Sequence, residues 1–199
     1  MGVSKQQAIE NKRAIVAAAE KLFRERGVAA VGLAELTKAA GFTQGGFYNH
    51  FKSKDALVAA VMEKAMEDGA ADLIASIGAS KAAAADPMQR HIEGYLSSEH
   101  LANIERGCPL MGFAGDIRRL GKEARQTYAR GLRWNLDQFV KVIDGENAHD
   151  KRRRAVALFS QMVGALVLAR AVVDADPDLA NEILKDGRQQ LLQASDACK

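Results

Sequence analysis

The chain has 199 residues, 48% of them hydrophobic, and a formal net charge of +3. That is ample for a core, and the length admits one domain or two small ones. The two cysteines, Cys108 and Cys198, lie far apart without a CxxC or Cys/His cluster, which argues for a reducing compartment and against a disulfide scaffold, a structural zinc or any other metal site.

Only 3 prolines occur, Ala, Leu, Glu, Lys and Arg are frequent, and no alternating strand pattern stands out. These features predict an all-α fold. Charge is unevenly spread. Residues 1–54 hold 9 Lys/Arg against 4 Asp/Glu, a net of +5, whereas residues 55–199 hold 19 against 21. A basic N-terminal module on a near-neutral remainder fits nucleic-acid binding by the first part only. The first residues are polar and lack the apolar run of a signal peptide, so a cytoplasmic protein is expected.

In chain order, Ile15, Ala18, Ala19, Leu22 and Phe23 give a first helix its apolar stripe, and Gly27 ends it. Lys5, Lys12 and Arg13 precede the core positions and can extend a phosphate footprint. Residues 33–54 then read LAELTKAAGFTQGGFYNHFKSK. Leu33, Leu36 and Ala40 share a helical face, and Gly41 can take positive φ and start a turn. Thr43 is a good N-cap for a second short helix. Phe47 and Phe51 face inward, leaving Tyr48, His50, Lys52 and Lys54 outward. Gly45 and Gly46 each disfavour a helix interior by roughly 1 kcal/mol relative to Ala. Close approach of a partner to the backbone explains such a pair, and a helix N-terminus suits a phosphate. Two short helices joined in this way are a helix-turn-helix, whose second helix enters a DNA groove.

These residues resemble the TetR family of bacterial transcriptional repressors. The resemblance rests on Ala18, Leu22, Phe23 and Gly27, then on Leu36, Ala39, Ala40, Gly41, Gly45, Phe47, Tyr48, His50, Phe51, Lys52, Lys54 and Leu57, and it covers about the first 60 residues. It implies that Thr43, Gln44, Gly45, Tyr48, His50 and Lys54 fall at positions that touch double-stranded DNA. Asn49 falls at a variable position that often tunes sequence preference, and Lys52 joins the outward basic set. One departure is plain. Many members carry Ser or Thr just before the first of the two helices, where Val31 and Gly32 stand here, and one phosphate contact is in doubt.

Beyond the head, Leu57, Val58, Val61, Met62, Ala65, Leu73 and Ile77 keep helical period, so residues 54 to about 77 form one long lever. The expected domains are a head, 1–53, and an effector-binding and dimerisation domain, 54–199. Residues 78–86 are expected to be a loop. Asp86 and Pro87 start a helix reaching His100 or a little beyond. Gly107-Cys108-Pro109 breaks the chain. Helices over about 110–119, 121–144, 150–174 and from Pro177 to about 194 follow, giving about nine helices, as the resemblance also implies.

Residues 155–175 are apolar nearly all round, which a surface helix of a monomer should not be. A central core helix, a membrane span and a dimer interface are the three readings. Gln161 and Arg170 inside the run weigh against a membrane, where Arg costs about 2.5–3.5 kcal/mol near the centre. The resemblance implies a homodimer through roughly residues 152–194, presenting two recognition helices to a palindromic operator. Lys151 to Arg154 read as a solvated helix start rather than a second DNA site.

The middle of the chain holds Tyr95, His100, Cys108, Met111, Phe113, Tyr128 and Trp134. Each is also an ordinary core residue. The resemblance makes this region a cavity for a small-molecule effector of unknown identity. Cys108, near Arg106 and a helix start, has the surroundings of a reactive thiol that senses an oxidant or electrophile. No catalytic constellation and no cofactor motif is present, so the chain is not expected to be an enzyme. The expected function is a ligand-responsive repressor. The alternatives are a redox-responsive regulator acting through Cys108 and an architectural DNA-binding protein.

Overall fold

The computed structural model describes residues 4–78 and 86–196, with side chains to residue 193. Among the described residues the regular structure is all helical. The order is α1 (Lys5–Arg26), α2 (Leu33–Ala39), α3 (Gln44–Tyr48), α4 (Lys54–Gly78), α5 (Pro87–Tyr95), α6 (Ser98–Ala102), α7 (Pro109–Gly112), a 3-10 turn (Ile117–Arg119), α8 (Lys122–Val142), α9 (Ala148–Val172) and α10 (Pro177–Asp196). Most of the segment expected to be a loop, at 79–85, lies outside the described residues, as does Cys198. The chain divides into two compact units, 1–69 with 108–131, and 70–107 with 132–199.

In the first unit several helix ends have a local cause. The Ser4 hydroxyl accepts the Gln7 N–H at the start of α1, and Gly27, at φ 79°, closes its end by donating to the Phe23 carbonyl. At the end of α2, Gly41 takes φ 74°. Its N–H reaches the Lys38 carbonyl while the Phe42 N–H reaches that of Thr37, at 2.7 Å. This is a complete Schellman closure. The Ser53 hydroxyl accepts the Ala56 N–H and so launches α4.

Phe23, Leu36, Phe47, Phe51, Leu57 and Met62 are buried at the centre of this unit. Truncating a buried Phe such as Phe47 to Ala costs about 3–5 kcal/mol. Phe113 and Ala124 belong to the same core, so the unit draws on a segment far along the chain. The Arg24 guanidinium lies 5.3 Å from the Phe113 ring centre and pairs with buried Glu20 at 2.8 Å. Lys64 joins them at 3.2 Å from Glu20.

In the second unit, Asp86 caps the Met88 N–H at 2.8 Å, with Pro87 in the first turn of α5. The single helix expected from Pro87 to beyond His100 is two helices. Ser97 sits at the break: its hydroxyl donates to the Gly94 carbonyl and accepts the His100 N–H, a local alternative to the helical ladder. Arg170 of α9 donates to the carbonyls of His100, Leu101 and Asn103 and so satisfies the open end of α6. The short helix expected over 110–119 is α7 plus the 3-10 turn.

The α9 and α10 helices pack together extensively. Ala155, Phe159, Met162, Leu166 and Ala169 bury one stripe of α9 at alternating spacings of four and three. Its other side exposes Val156, Val167 and Leu168, the last 58% exposed. The helix is long and apolar enough to cross a membrane by length and composition. Its basic start is tied up in ion pairs: Arg153 and Arg154 each lie 2.7 Å from Asp150, and Arg152 lies 2.6 Å from Asp137.

Candidate nucleic-acid interface

The site is the outward face of α3, and folding physics accounts for one side of this helix only. Phe47 is fully buried and stacks on Phe51 with ring centres 5.7 Å apart. Tyr48, one residue on, must point the other way and is 58% exposed; its ring meets Phe47 edge-on. Thr43, Gln44, Gly45, Asn49 and Lys52 are exposed with it, while His50 is half-buried, its ring edge-on to Phe42 at 5.9 Å. The Thr43 hydroxyl accepts the Gly46 N–H at 3.1 Å, so one orphan donor of the helix start is satisfied.

Gly45 is the telling residue. It has ordinary helical backbone, and a Cβ built on it would come no nearer than 4.0 Å to its surroundings, at the Thr43 hydroxyl. Among the described residues nothing requires glycine there. A residue that lowers helix propensity without any internal steric reason fits an outside surface that comes close to the backbone.

Lys54 is where the structure differs from the sequence expectation. Its ammonium does not face outward. It donates to the Val28 carbonyl at 2.7 Å and the Val31 carbonyl at 2.6 Å and lies 5.9 Å over the Phe23 ring. Open carbonyls in the loop between α1 and α2 and an aromatic face give a cation better partners than water does. Lys12 shows a milder form of the same thing, 5.4 Å over the Phe51 ring yet exposed. The absent cap is real: Gly32 is the N-cap of α2 and makes no side-chain bond, and Val31 beside it is fully buried.

The residues expected around an effector divide between the two units. Cys108, Met111, Phe113 and Tyr128 belong to the first. Phe113 is core there, and the Tyr128 hydroxyl donates to the Leu110 carbonyl. Burial, with Cys108 nearby, pushes the Tyr128 phenol up to about 12. Tyr95, His100 and Trp134 belong to the second unit. There the Tyr95 ring stands edge-on to His100 at 4.7 Å. His91, unremarked in the sequence, lies beside Tyr95 and Phe139 with its Nδ1 2.9 Å from the Ser76 hydroxyl. Burial, then the neighbouring His100, drives its pKa down to about 4. A cavity of about 260 Å³ in this unit is floored by Met88 and Leu191 and flanked by Ile143, Leu158, Arg154 and Gln161. None of the seven expected residues lines it. Four helix ends build it, and no local sequence pattern marks such a convergence.

Residues 15–61 match the family model for bacterial regulatory proteins of the tetR family. The HTH-type transcriptional repressor DhaR of a Mycobacterium species is 27% identical over 134 residues, covering 67% of this chain and 66% of that protein. The HTH-type transcriptional regulator TtgR of Pseudomonas putida is 41% identical over 64 residues, 32% of this chain and 30% of TtgR. The matched stretch thus spans less than two thirds of either relative. Among solved structures, the reduced form of E. coli NemR superposes with a TM-score of 0.74 at 19% identity, covering 92% of this chain and 95% of NemR. A TetR regulator from Chloroflexus aurantiacus does so with a TM-score of 0.76 at 20% identity and 94% of each chain. At these identities the likeness is one of fold.

Proposed function

We propose, for a chain that belongs to the TetR family of bacterial regulatory proteins, that it is a repressor which binds a palindromic operator as a homodimer and leaves it when a small molecule binds. The observation that carries DNA binding is the outward face of α3, where Thr43, Gln44, Gly45, Tyr48, Asn49 and Lys52 stand exposed around a glycine that the fold itself does not need. His50, at the edge of that face, completes the set.

Homodimerisation is supported by the apolar residues left open on α9, Val156, Val167 and Leu168, with Leu179 on α10. Two-fold symmetry would present two copies of α3 to successive major grooves, about 34–36 Å apart. Effector binding is supported by the 260 Å³ cavity, where apolar side chains stand beside Asp86, Asp144, Arg153, Arg154 and Gln161, a mixture that can hold and orient a small molecule. Ligand must bind the released arrangement more tightly than the operator-bound one for release to follow. This reading places the protein in the cytoplasm and requires no cofactor and no catalytic step.

Selection of bound duplexes from random DNA by the full-length protein tests the reading. A single palindrome should emerge, with one protected footprint where that sequence lies beside the protein's own gene. Diffuse protection without a consensus favours an architectural DNA-binding protein instead.

Cys108 keeps a second reading alive, because its thiol sits half-buried at the start of α7. Operator binding by Cys108→Ser, with and without oxidant, separates the two. A wild-type response that survives the substitution disposes of the thiol sensor.

A further inference from the structure

The loop between α1 and α2 is held from two sides by side chains of opposite charge. Its first peptide unit, at Val28, has its N–H bonded to the Asp116 carboxylate at 2.9 Å. The carbonyl of the same residue accepts from the Lys54 ammonium at 2.7 Å, and that ammonium also reaches the Val31 carbonyl. Asp116 follows α7, 88 residues along the chain from Val28, and Lys54 is the first residue of α4. The second oxygen of Asp116 accepts from Arg119 at 2.8 Å. Gly27 completes the arrangement. It sits at positive φ, and a Cβ on it would stand 3.2 Å from the Asp116 carboxylate.

This clamp stands at a weak point. The α2 helix has no side-chain cap of its own at Gly32, so the backbone of residues 27–31 bears directly on how its start is placed, beside the Arg26–Glu35 ion pair and buried Leu36. Val28 and Val31 bury their side chains beneath the loop, and the two charged groups fix its backbone above them. The α2 helix in turn sets α3 through the Schellman turn at Gly41.

We infer that Asp116 and Lys54 are positioning residues for operator binding: together they set the α1–α2 loop, and through it the aim of α3. This rests on the DNA-binding reading above and adds two roles to it. A residue of the 108–131 segment governs how the head grips DNA. Lys54 acts on the protein's own carbonyls rather than on a phosphate.

Electrostatics makes the claim sharp, because the two readings of each residue differ in sign or in slope. Removing a negative charge from a DNA-binding protein raises its affinity if charge alone matters. The clamp predicts the reverse for Asp116→Ala: binding to the palindrome selected by the wild-type protein falls roughly tenfold, the scale of a lost hydrogen bond to a charged group. Asp116→Asn keeps an acceptor for the Val28 N–H and stays within about threefold of wild type. Lys54→Met weakens binding but leaves the slope of log affinity against log salt unchanged, whereas loss of a phosphate contact lowers that slope by about one.

The test is this set of affinities at several salt concentrations. Hydrogen exchange at the Val28 amide is read in parallel, and thermal unfolding confirms that each variant is folded. The wild-type and Asp116→Asn amides should be protected and the Asp116→Ala amide should exchange faster. Asp116→Ala binding as tightly as wild type or tighter overturns the inference, as does a salt slope lowered by about one in Lys54→Met. Should Asp116→Ala not fold, an unprotected Val28 amide in the wild-type protein overturns it, and protection shared with a tightly binding Asp116→Asn upholds it. A wild-type protein that selects no duplex sinks the DNA-binding reading instead, while the exchange data still report on the clamp.

Discussion

Two helices of this molecule expose what folding alone would hide or replace, and they do so in opposite ways. On α3 the surplus is small and polar: a glycine with open space before it, a threonine, a glutamine and a tyrosine turned to solvent. On α9 it is apolar: Val156, Val167 and Leu168 stand out beside a stripe that is already buried. The contrast shows what each face can accept. The first suits a hydrated, negatively charged surface that approaches the backbone closely. The second is stabilised only by another apolar surface, at roughly 25 cal/mol per Å² removed from water, and in the proposed dimer a second copy of the same helix would supply one.

The strongest way to break this comparison is to put a charge on the apolar face. If the proposed dimer forms through this face, Leu168→Asp should leave a monomer by sedimentation and lower operator affinity by roughly a hundredfold, because two half-sites then bind separately. A monomeric variant that still binds the full palindrome at wild-type strength would detach the two faces from each other.

Acid sharpens the comparison by acting beneath α9. Phe159 of that helix packs on Phe139, which packs on His91. His91 has a folded-state pKa of about 4 against an ordinary value of 6.5. The unfolded chain therefore binds the extra proton first as pH falls, and stability is lost through the window from about 6.5 down to 4. From this group alone the loss between pH 7 and pH 5 is about 2 kcal/mol. His100, also lowered by burial, acts in the same direction. Urea unfolding at the two pH values measures the loss, and His91→Phe should remove most of it.

Smaller effects belong to α3 and the turn that follows it. Tyr48→Ala should weaken operator binding about tenfold without lowering the unfolding midpoint, since the ring is mostly in solvent. Lys52→Met should weaken binding to all sequences nearly alike and lower the salt slope by about one. A Lys52→Met protein with an unchanged slope would take that residue off the phosphate footprint.

The α2–α3 turn was legible in the sequence because its causes are local. Gly41 and Thr43 act within three or four residues of themselves, and the Phe47/Phe51 spacing announces the buried side. The break between α5 and α6 was missed, although Gly94 and Ser97 were its available signals: one serine bonding both ways outweighs a continuing apolar period. Lys54 read as an outward base because its partners, the carbonyls of Val28 and Val31, belong to backbone more than twenty residues away and carry no sequence signature. Asp116 and Arg170 were illegible for the same reason: one accepts a loop N–H 88 residues away and the other donates to the carbonyls at the end of α6. The ion pairs of Arg153 and Arg154 with Asp150 lie within three and four residues, and so are local in cause.

The most direct test of the central claim, that the outward face of α3 meets DNA, is Gly45→Leu, with unfolding free energy and affinity for the selected palindrome measured on one preparation. The side chain would enter open space on a helical backbone, so stability should hold or rise by up to about 1 kcal/mol. Affinity should fall by roughly a hundredfold, as a bulky group holds the duplex away from the helix. A protein of wild-type stability and undiminished affinity would contradict the account, because Gly45 would then face nothing.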